Sequence, residues 1–202
     1  VGSEMCIRDS LEGTLIEAFN TAMSGKQGPV VVDIAKNVFS QEVEFDENIK
    51  YSSDKHHPSD FEITRALNAI CSAKCPVIVA GGGVVLADAA AEFTEFAKLL
   101  DLPVVNTMMG IGAYPVEDAN YFGMIGIFGH PAANLILRES DLIFSVGARF
   151  NDRIRCCFPN GELERNFVQV DINENEISRI IPASIGITAV SYTHLRAHET
   201  PE

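Results

Sequence analysis

Three short stretches of the 202-residue chain carry groups suited to holding a phosphorylated ligand. Gly81-Gly82-Gly83 follows the apolar run Val77-Ile78-Val79-Ala80. Glycines at the end of a strand let backbone N–H groups approach a phosphate, and a helix start behind them adds positive potential. A turn that merely reverses the chain fits the same residues, because Leu86 stands where a GxGxxG pattern needs its third glycine. Arg149 and Arg153 flank Asn151-Asp152. Their guanidinium groups suit a diphosphate through charge-assisted hydrogen bonds, and a surface salt-bridge cluster is the competing reading. Asp171 closes the run Phe167-Val168-Gln169-Val170. An ionised carboxylate there suits a ribose hydroxyl, while a helix N-cap for the segment beginning Asn173-Glu174 fits nearly as well.

Other reactive side chains point nowhere specific. The five cysteines, Cys6, Cys71, Cys75, Cys156 and Cys157, include no CxxC pair, and no secretory apolar segment is present. A reducing, cytoplasmic setting is the simplest expectation. Cys71 and Cys75 lie four apart near a helix end without further ligands beside them, so they are expected as small buried hydrophobes. Cys156 and Cys157 read as core or surface fill. His56 and His57 precede Pro58 in a polar stretch and read as solvated; His194 and His198 imitate a metal pair inside a terminal string. No metal site is expected within this chain.

Charge narrows the partners. With 15 Lys and Arg against 28 Asp and Glu, the formal net charge is −13, and no basic cluster reverses it locally. Phosphate backbones and anionic lipid are repelled, so neither nucleic acid nor a membrane surface is an expected partner. The longest apolar runs fall far short of the roughly 20 residues that cross a bilayer.

The elements that must position these groups alternate. Leu15, Ala18, Phe19 and Ala22 recur at helical spacing, and Val30-Val31-Val32-Asp33-Ile34 then reads as a buried parallel strand. Residues 39–58 turn polar and read as a linker, with a domain boundary near residue 50. Ser59-Asp60-Phe61-Glu62 is a capping-box pattern that opens a helix to about residue 73, with a stripe of Phe61, Arg65, Leu67 and Ile70. Strands are expected at 77–80, 103–106, 142–146, 167–172 and 185–189, with helices at 87–100 and 132–139. Residues 107–129 form a long Gly-rich stretch of the kind that is usually functional. Strands separated by helix-length crossovers require a parallel sheet with helices on both faces, and ligands in such a sheet bind at the strands' C-terminal edge.

Six blocks, in order, carry a family resemblance. They are Gly28-Pro29-Val30-Val31-Val32-Asp33-Ile34-Ala35-Lys36-Asn37-Val38, Val79-Ala80-Gly81-Gly82-Gly83-Val84, Thr107-Met108-Met109-Gly110-Ile111-Gly112-Ala113-Tyr114-Pro115, Tyr121-Phe122-Gly123-Met124-Ile125-Gly126, Val146-Gly147-Ala148-Arg149-Phe150-Asn151-Asp152-Arg153 and Val170-Asp171-Ile172. Over residues 11–189 the chain resembles the large catalytic subunit of acetolactate synthase (acetohydroxyacid synthase), a thiamine-diphosphate enzyme. Residues 1–10 and 190–202 resemble translated sequencing-adapter sequence instead.

The resemblance implies that residues 11–38 are the C-terminal remnant of the domain that binds the thiamine pyrimidine. Residues 59–189 are then the central domain, a doubly wound, Rossmann-like α/β sheet that binds FAD in the family. It implies that Gly81 and Gly82 face the flavin nucleotide, with Thr107 and Met108 near the cofactor. Phe128 and Gly129 take the place of a His-Gly pair, Gly147, Arg149 and Arg153 hold ribityl and diphosphate, and Asp171 and Ile172 meet the adenosine. Phe128 replaces the family's His, and Asn151 replaces the first Asp of its Arg-Phe-Asp-Asp-Arg string.

The resemblance also implies an enzyme that decarboxylates pyruvate and passes the two-carbon unit to a second 2-oxo acid in branched-chain amino-acid biosynthesis. Thiamine diphosphate and Mg2+ are implied cofactors, and a homo-oligomer with a small regulatory subunit is the implied assembly. The family's Mg2+ and diphosphate site uses a Gly-Asp-Gly motif, and this chain has no Gly-Asp pair. The chain alone is therefore expected to be inactive, and no residue is expected to be catalytic. Glyoxylate carboligase-like and oxalyl-CoA decarboxylase-like enzymes, or a non-catalytic nucleotide-binding module, are the alternatives. Residues 11–34 are expected to be the least stable ordered part.

Overall fold

A computed structural model describes residues 11–40, 57–155, 157–158 and 166–189. Cys6, His56, Cys156, His194 and His198, most of the 39–58 segment and both terminal strings lie outside the described residues. The chain divides into two units, Val1–Lys55 and His56–Glu202.

The described part of the first unit is helix α1 (Leu11–Met23) and a 3-10 turn, Val38–Ser40. No residue of α1 is buried, and Val31 is 91% exposed. The expected strand at 30–34 does not form: only Ile34 makes a bridge among the described residues. A β-branched run becomes a strand when neighbouring strands accept and donate its backbone hydrogen bonds, and among the described residues no ladder does so here.

The second unit runs α2 (Asp60–Ser72), β1 (Pro76–Ala80), α3 (Gly82–Leu86), α4 (Ala90–Leu100), β2 (Val104–Asn106), β3 (Tyr121–Met124), α5 (Pro131–Glu139), β4 (Leu142–Val146), α6 (Asp152–Arg155), β5 (Asn166–Asp171) and β6 (Ile185–Thr188). The six strands form one sheet in the order β3-β2-β1-β4-β5-β6, and every adjacent pair is parallel. This is a doubly wound α/β sheet.

Alternation along the strands builds a core on each face. Ile78, Ala80, Phe144, Val168 and Val170 pack with Ala66 and Ile70 of α2 and Phe93, Phe96 and Ala97 of α4. Val77, Val79, Ile143 and Phe167 pack with Ala133 and Leu137 of α5 and Ile154 of α6. All five residues of β4 are buried, as a central strand covered on both sides requires.

Helix α2 begins with the expected reciprocal cap. Ser59 Oγ accepts from the Glu62 N–H at 3.3 Å, and Glu62 Oε2 accepts from the Ser59 N–H at 2.9 Å. The Ser59 hydroxyl, which donates to Glu62 Oε2 at 2.7 Å, and then the Ser59 N–H hold the Glu62 carboxyl below its ordinary range. The expected stripe is displaced: Ala66 and Ile70 are buried, and Phe61 is exposed with the Arg65 guanidinium 5.7 Å from its ring centre. Cys71 and Cys75 are exposed free thiols rather than core, because they lie off that buried face. Among the described residues, no helix is long and apolar enough to cross a membrane.

Candidate functional site

Four strands end in step. Ala80 lies opposite both Asn106 and Val146, and Val146 lies opposite Val170. One residue further along, Gly81, Thr107, Gly147 and Asp171 therefore share a row at the C-terminal edge. The strand order runs outward from β1 on one side and from β4 on the other, so Gly81 and Gly147 flank the switch point where open α/β sheets bind ligands.

The backbones meet closely there. A Cβ on Gly81 would sit 2.1 Å from the Gly147 carbonyl oxygen, so only glycine fits, and Gly82 lies against the Met109 side chain. The Gly81 N–H donates to Val146 O at 2.9 Å and the Gly83 N–H to Gly147 O at 2.9 Å. Thr107 and Gly147 donate in turn to Ala80 O and Val170 O, at 2.9 and 2.8 Å. The Gly81, Gly83 and Gly147 N–H groups are thus engaged by the chain itself, which suits the chain-turning reading at those positions.

The polar side of the edge is built around Arg149, on the loop after β4. Its Nε donates to Glu176 Oε1 at 2.9 Å, and its Nη2 donates to the same oxygen. The salt-bridge reading of Arg149 is thus realised, and the Glu176 carboxylate beside it raises the guanidinium above its ordinary value, with Asp171 adding to the effect. Asp171 ends β5 and accepts from the Asn173 N–H at 2.9 Å. The cap of the next 3-10 turn is Asn173, which accepts from Asn175 at 3.1 Å, so Asp171 is not that cap. Ile172 is half-buried beside it. Asn151 accepts from the Arg153 N–H at 3.1 Å and opens α6, a task that either Asn or Asp performs.

The apolar side is exposed. Met108 (53%), Met109, Ile111, Ile127 and Phe128 (74%) all present large side chains to solvent. Phe128 and Gly129 line a cavity of about 620 Å³ together with Tyr121, Phe122, Gly123, Met124, His130 and Pro131. His130 caps α5, its Nδ1 accepting from the Ala132 N–H at 3.3 Å. The Arg153 carbonyl accepts from the Ile127 N–H at 3.1 Å, which joins the start of α6 to the Phe128 loop. The structure thus gathers Gly81, Gly82, Thr107, Met108, Gly147 and Asp171 at one edge, and sets Phe128 and Gly129 at the β3–α5 connection.

A family model described as "Thiamine pyrophosphate enzyme, central domain" matches residues 63–197. The chain belongs to that family. It is 36% identical over 192 residues to the acetolactate synthase large subunit of Haemophilus influenzae, covering 89% of this chain and 32% of that protein. It is 36% identical over 178 residues to the glyoxylate carboligase of Escherichia coli O157:H7, covering 87% and 30%. The chain thus spans about a third of the length of the curated relatives it matches. Among solved structures, the benzoylformate decarboxylase of Polynucleobacter necessarius shares the fold with a TM-score of 0.75 at 18% identity, covering 96% of this chain and 36% of that one. The thiamine pyrophosphate central domain is therefore the architecture in which this edge sits, and the family is one of enzymes that use thiamine diphosphate.

Three residues important to the edge carry no pattern in the sequence. Glu176 lies 27 positions from Arg149, Gln169 reads as a polar interruption of β5, and Asn134 as a polar residue within a helix. Only Gln169, a polar residue inside an apolar strand, gives a signal; Glu176 sits in a polar turn and Asn134 on a half-buried helix position. No group of three or more His, Cys, Asp or Glu side chains suited to a metal exists among the described residues.

Proposed function

We propose that this chain is the central, nucleotide-holding part of an acetolactate-synthase-type enzyme that condenses two 2-oxo acids, with FAD along the C-terminal edge of the sheet. The observation that carries the reading is the 36% identity across 89% of the chain to an acetolactate synthase large subunit. The donor set fits a flavin dinucleotide. Arg149 offers a half-exposed guanidinium beside the Asp171 carboxylate, and Met108 and Phe128 offer exposed apolar surface suited to a flat ring system. Arg149 and Arg153 would hold the diphosphate, Asp171 and Ile172 the adenosine, and Gly81, Gly82, Thr107, Met108, Phe128, Gly129, Gly147 and Asn151 would line the path between.

Thiamine diphosphate, when bound with Mg2+, supplies the decarboxylation and two-carbon transfer of the enzyme. This chain's residues bind and orient a second cofactor that undergoes no net redox change; none is assigned a catalytic role. In the same reading the assembly is a cytoplasmic homo-oligomer with a small regulatory subunit.

A second reading has a specific support. The identity to a glyoxylate carboligase is equally 36%, so glyoxylate rather than pyruvate is the competing donor. The full-length protein, purified and supplied with thiamine diphosphate and Mg2+, is expected to show flavin absorbance and to convert pyruvate to acetolactate with release of CO2. Turnover of glyoxylate alone favours the second reading, and a colourless protein that binds no flavin overturns the cofactor assignment.

A further inference from the structure

We infer that Glu176 is a positioning residue that fixes one edge of the Arg149 guanidinium and so aims the rest of that group at a diphosphate-bearing ligand across the ends of β4 and β5. The inference rests on the nucleotide reading proposed above. Glu176 sits at the end of the 3-10 turn Glu174–Glu176, and its side chain is only 9% exposed, whereas that of Arg149 is 53% exposed. Its Oε1 receives both Nε and Nη2 of Arg149, while its Oε2 receives Nε of Arg179 at 2.9 Å.

The turn is itself held from within the sheet. Gln169 of β5, 2% exposed, donates from Nε2 to the Glu176 carbonyl at 3.1 Å and accepts the Ser178 N–H on Oε1 at 3.0 Å. A buried carboxamide thus fixes a turn, the turn fixes a carboxylate, and the carboxylate fixes a guanidinium. Arg carries five N–H donors in a rigid fork, so engaging two of them on one edge leaves three on a half-exposed group. Fixing the group before binding also removes rotamer entropy that a loose Arg would lose on meeting its ligand.

Charge and position make opposite predictions here. The Arg149 and Arg179 guanidinium groups stand against the Glu176 and Asp171 carboxylates, a cluster close to neutral inside a chain of net charge −13. Removing Glu176 would raise that local charge, so electrostatics alone would tighten a polyphosphate. Positioning requires that its removal loosen the same ligand.

The test is FAD titration of the full-length protein, read by flavin fluorescence, with thermal melting of each variant as the folding control. E176A and R149K are each expected to weaken FAD about tenfold or more, the scale of a charged hydrogen bond. E176Q keeps an acceptor oxygen and the side-chain shape and is expected to recover most of the loss. Because Glu176 acts through Arg149, the E176A/R149K double variant is expected to bind no worse than either single variant. A folded E176A that binds FAD as tightly as the wild type, or additive losses in the double variant, overturns the inference alone. If E176A does not fold, wild-type affinity in R149K overturns it. A wild-type protein that takes up no FAD overturns the nucleotide reading, and the inference with it.

Discussion

Asn134 and Gly126 form a two-point pair. The Asn134 Oδ1 accepts from the Gly126 N–H, and its Nδ2 donates to the Gly126 carbonyl, both at 2.9 Å. Gly126 has φ +114°, a backbone state open to glycine that L side chains rarely adopt, so glycine permits the turn of the β3–α5 loop and the pair fixes it. Phe128 is displayed two residues beyond. Asn134→Ala is expected to lower stability by about 1–3 kcal/mol, the cost of leaving the Gly126 N–H without its partner, while the Gly126 carbonyl keeps the Gly129 N–H. Thermal melting reads that loss, and limited proteolysis is expected to show faster cleavage beside Phe128. An unchanged melting point with an unchanged cleavage pattern would remove the loop-pinning role.

Gly81→Ala tests the closeness of the two loops at the switch point. The new methyl would meet the Gly147 carbonyl oxygen at 2.1 Å and Ala148 Cα at 2.3 Å, both backbone atoms that cannot swing aside. Overpacking of this kind costs about 1–3 kcal/mol or more, and the variant is expected to melt well below the wild type. Gly28→Ala is the control: a Cβ there meets nothing within 4 Å, so its melting temperature is expected to be unchanged or slightly raised.

Much of this edge could be read from residue order, and the omissions have physical causes. The central strands announce themselves as apolar runs because both faces are covered, as in Val77-Ile78-Val79-Ala80 and Leu142-Ile143-Phe144-Ser145-Val146. β3 gives no such run. All four of its residues are half-buried, Gly123 interrupts it at φ +95°, and it lies at the sheet edge within a stretch that reads as loop. The helix expected at 87–100 starts only at Ala90, as α4, because Asp88 takes a left-handed turn at φ +53°, and the short α3 before that turn is not among the expected helices. At 30–34 the composition is that of a strand, yet strand formation depends on neighbours that local sequence does not describe. Arg149 was legible as a phosphate-seeking group, but its partner Glu176 was not, since their contact depends on how β4 and β5 end side by side.

Asp141 ties the starts of β1 and β4 together, and its titration gives the sheet an acid limit. Its two carboxylate oxygens accept from the Lys74 and Cys75 N–H groups at 2.8 and 2.9 Å, and these bonds hold the carboxyl below its ordinary range. A depressed folded-state value means that the contribution is present above the unfolded carboxylate's titration and is lost as pH falls through the folded one. Asp141→Asn keeps one acceptor oxygen and removes the charge. The variant is therefore expected to melt below the wild type near neutral pH, with the gap closing as pH falls below the carboxylate range. A gap that stays constant across that range would show that charge at Asp141 contributes nothing.

Ser145 gives a prediction of the opposite sign. It stands in the middle of the central strand, fully buried, opposite Val79 on β1 and Gln169 on β5, and among the described residues its hydroxyl has no hydrogen-bond partner. Burying an unpaired hydroxyl costs about 1–3 kcal/mol, while replacing it with hydrogen removes that cost and leaves only a small void. Ser145→Ala is expected to raise the melting temperature, although most substitutions at fully buried positions lower it. A clear fall on melting would mean that the hydroxyl has a partner, and the strand's neighbour Gln169 would be the first place to look.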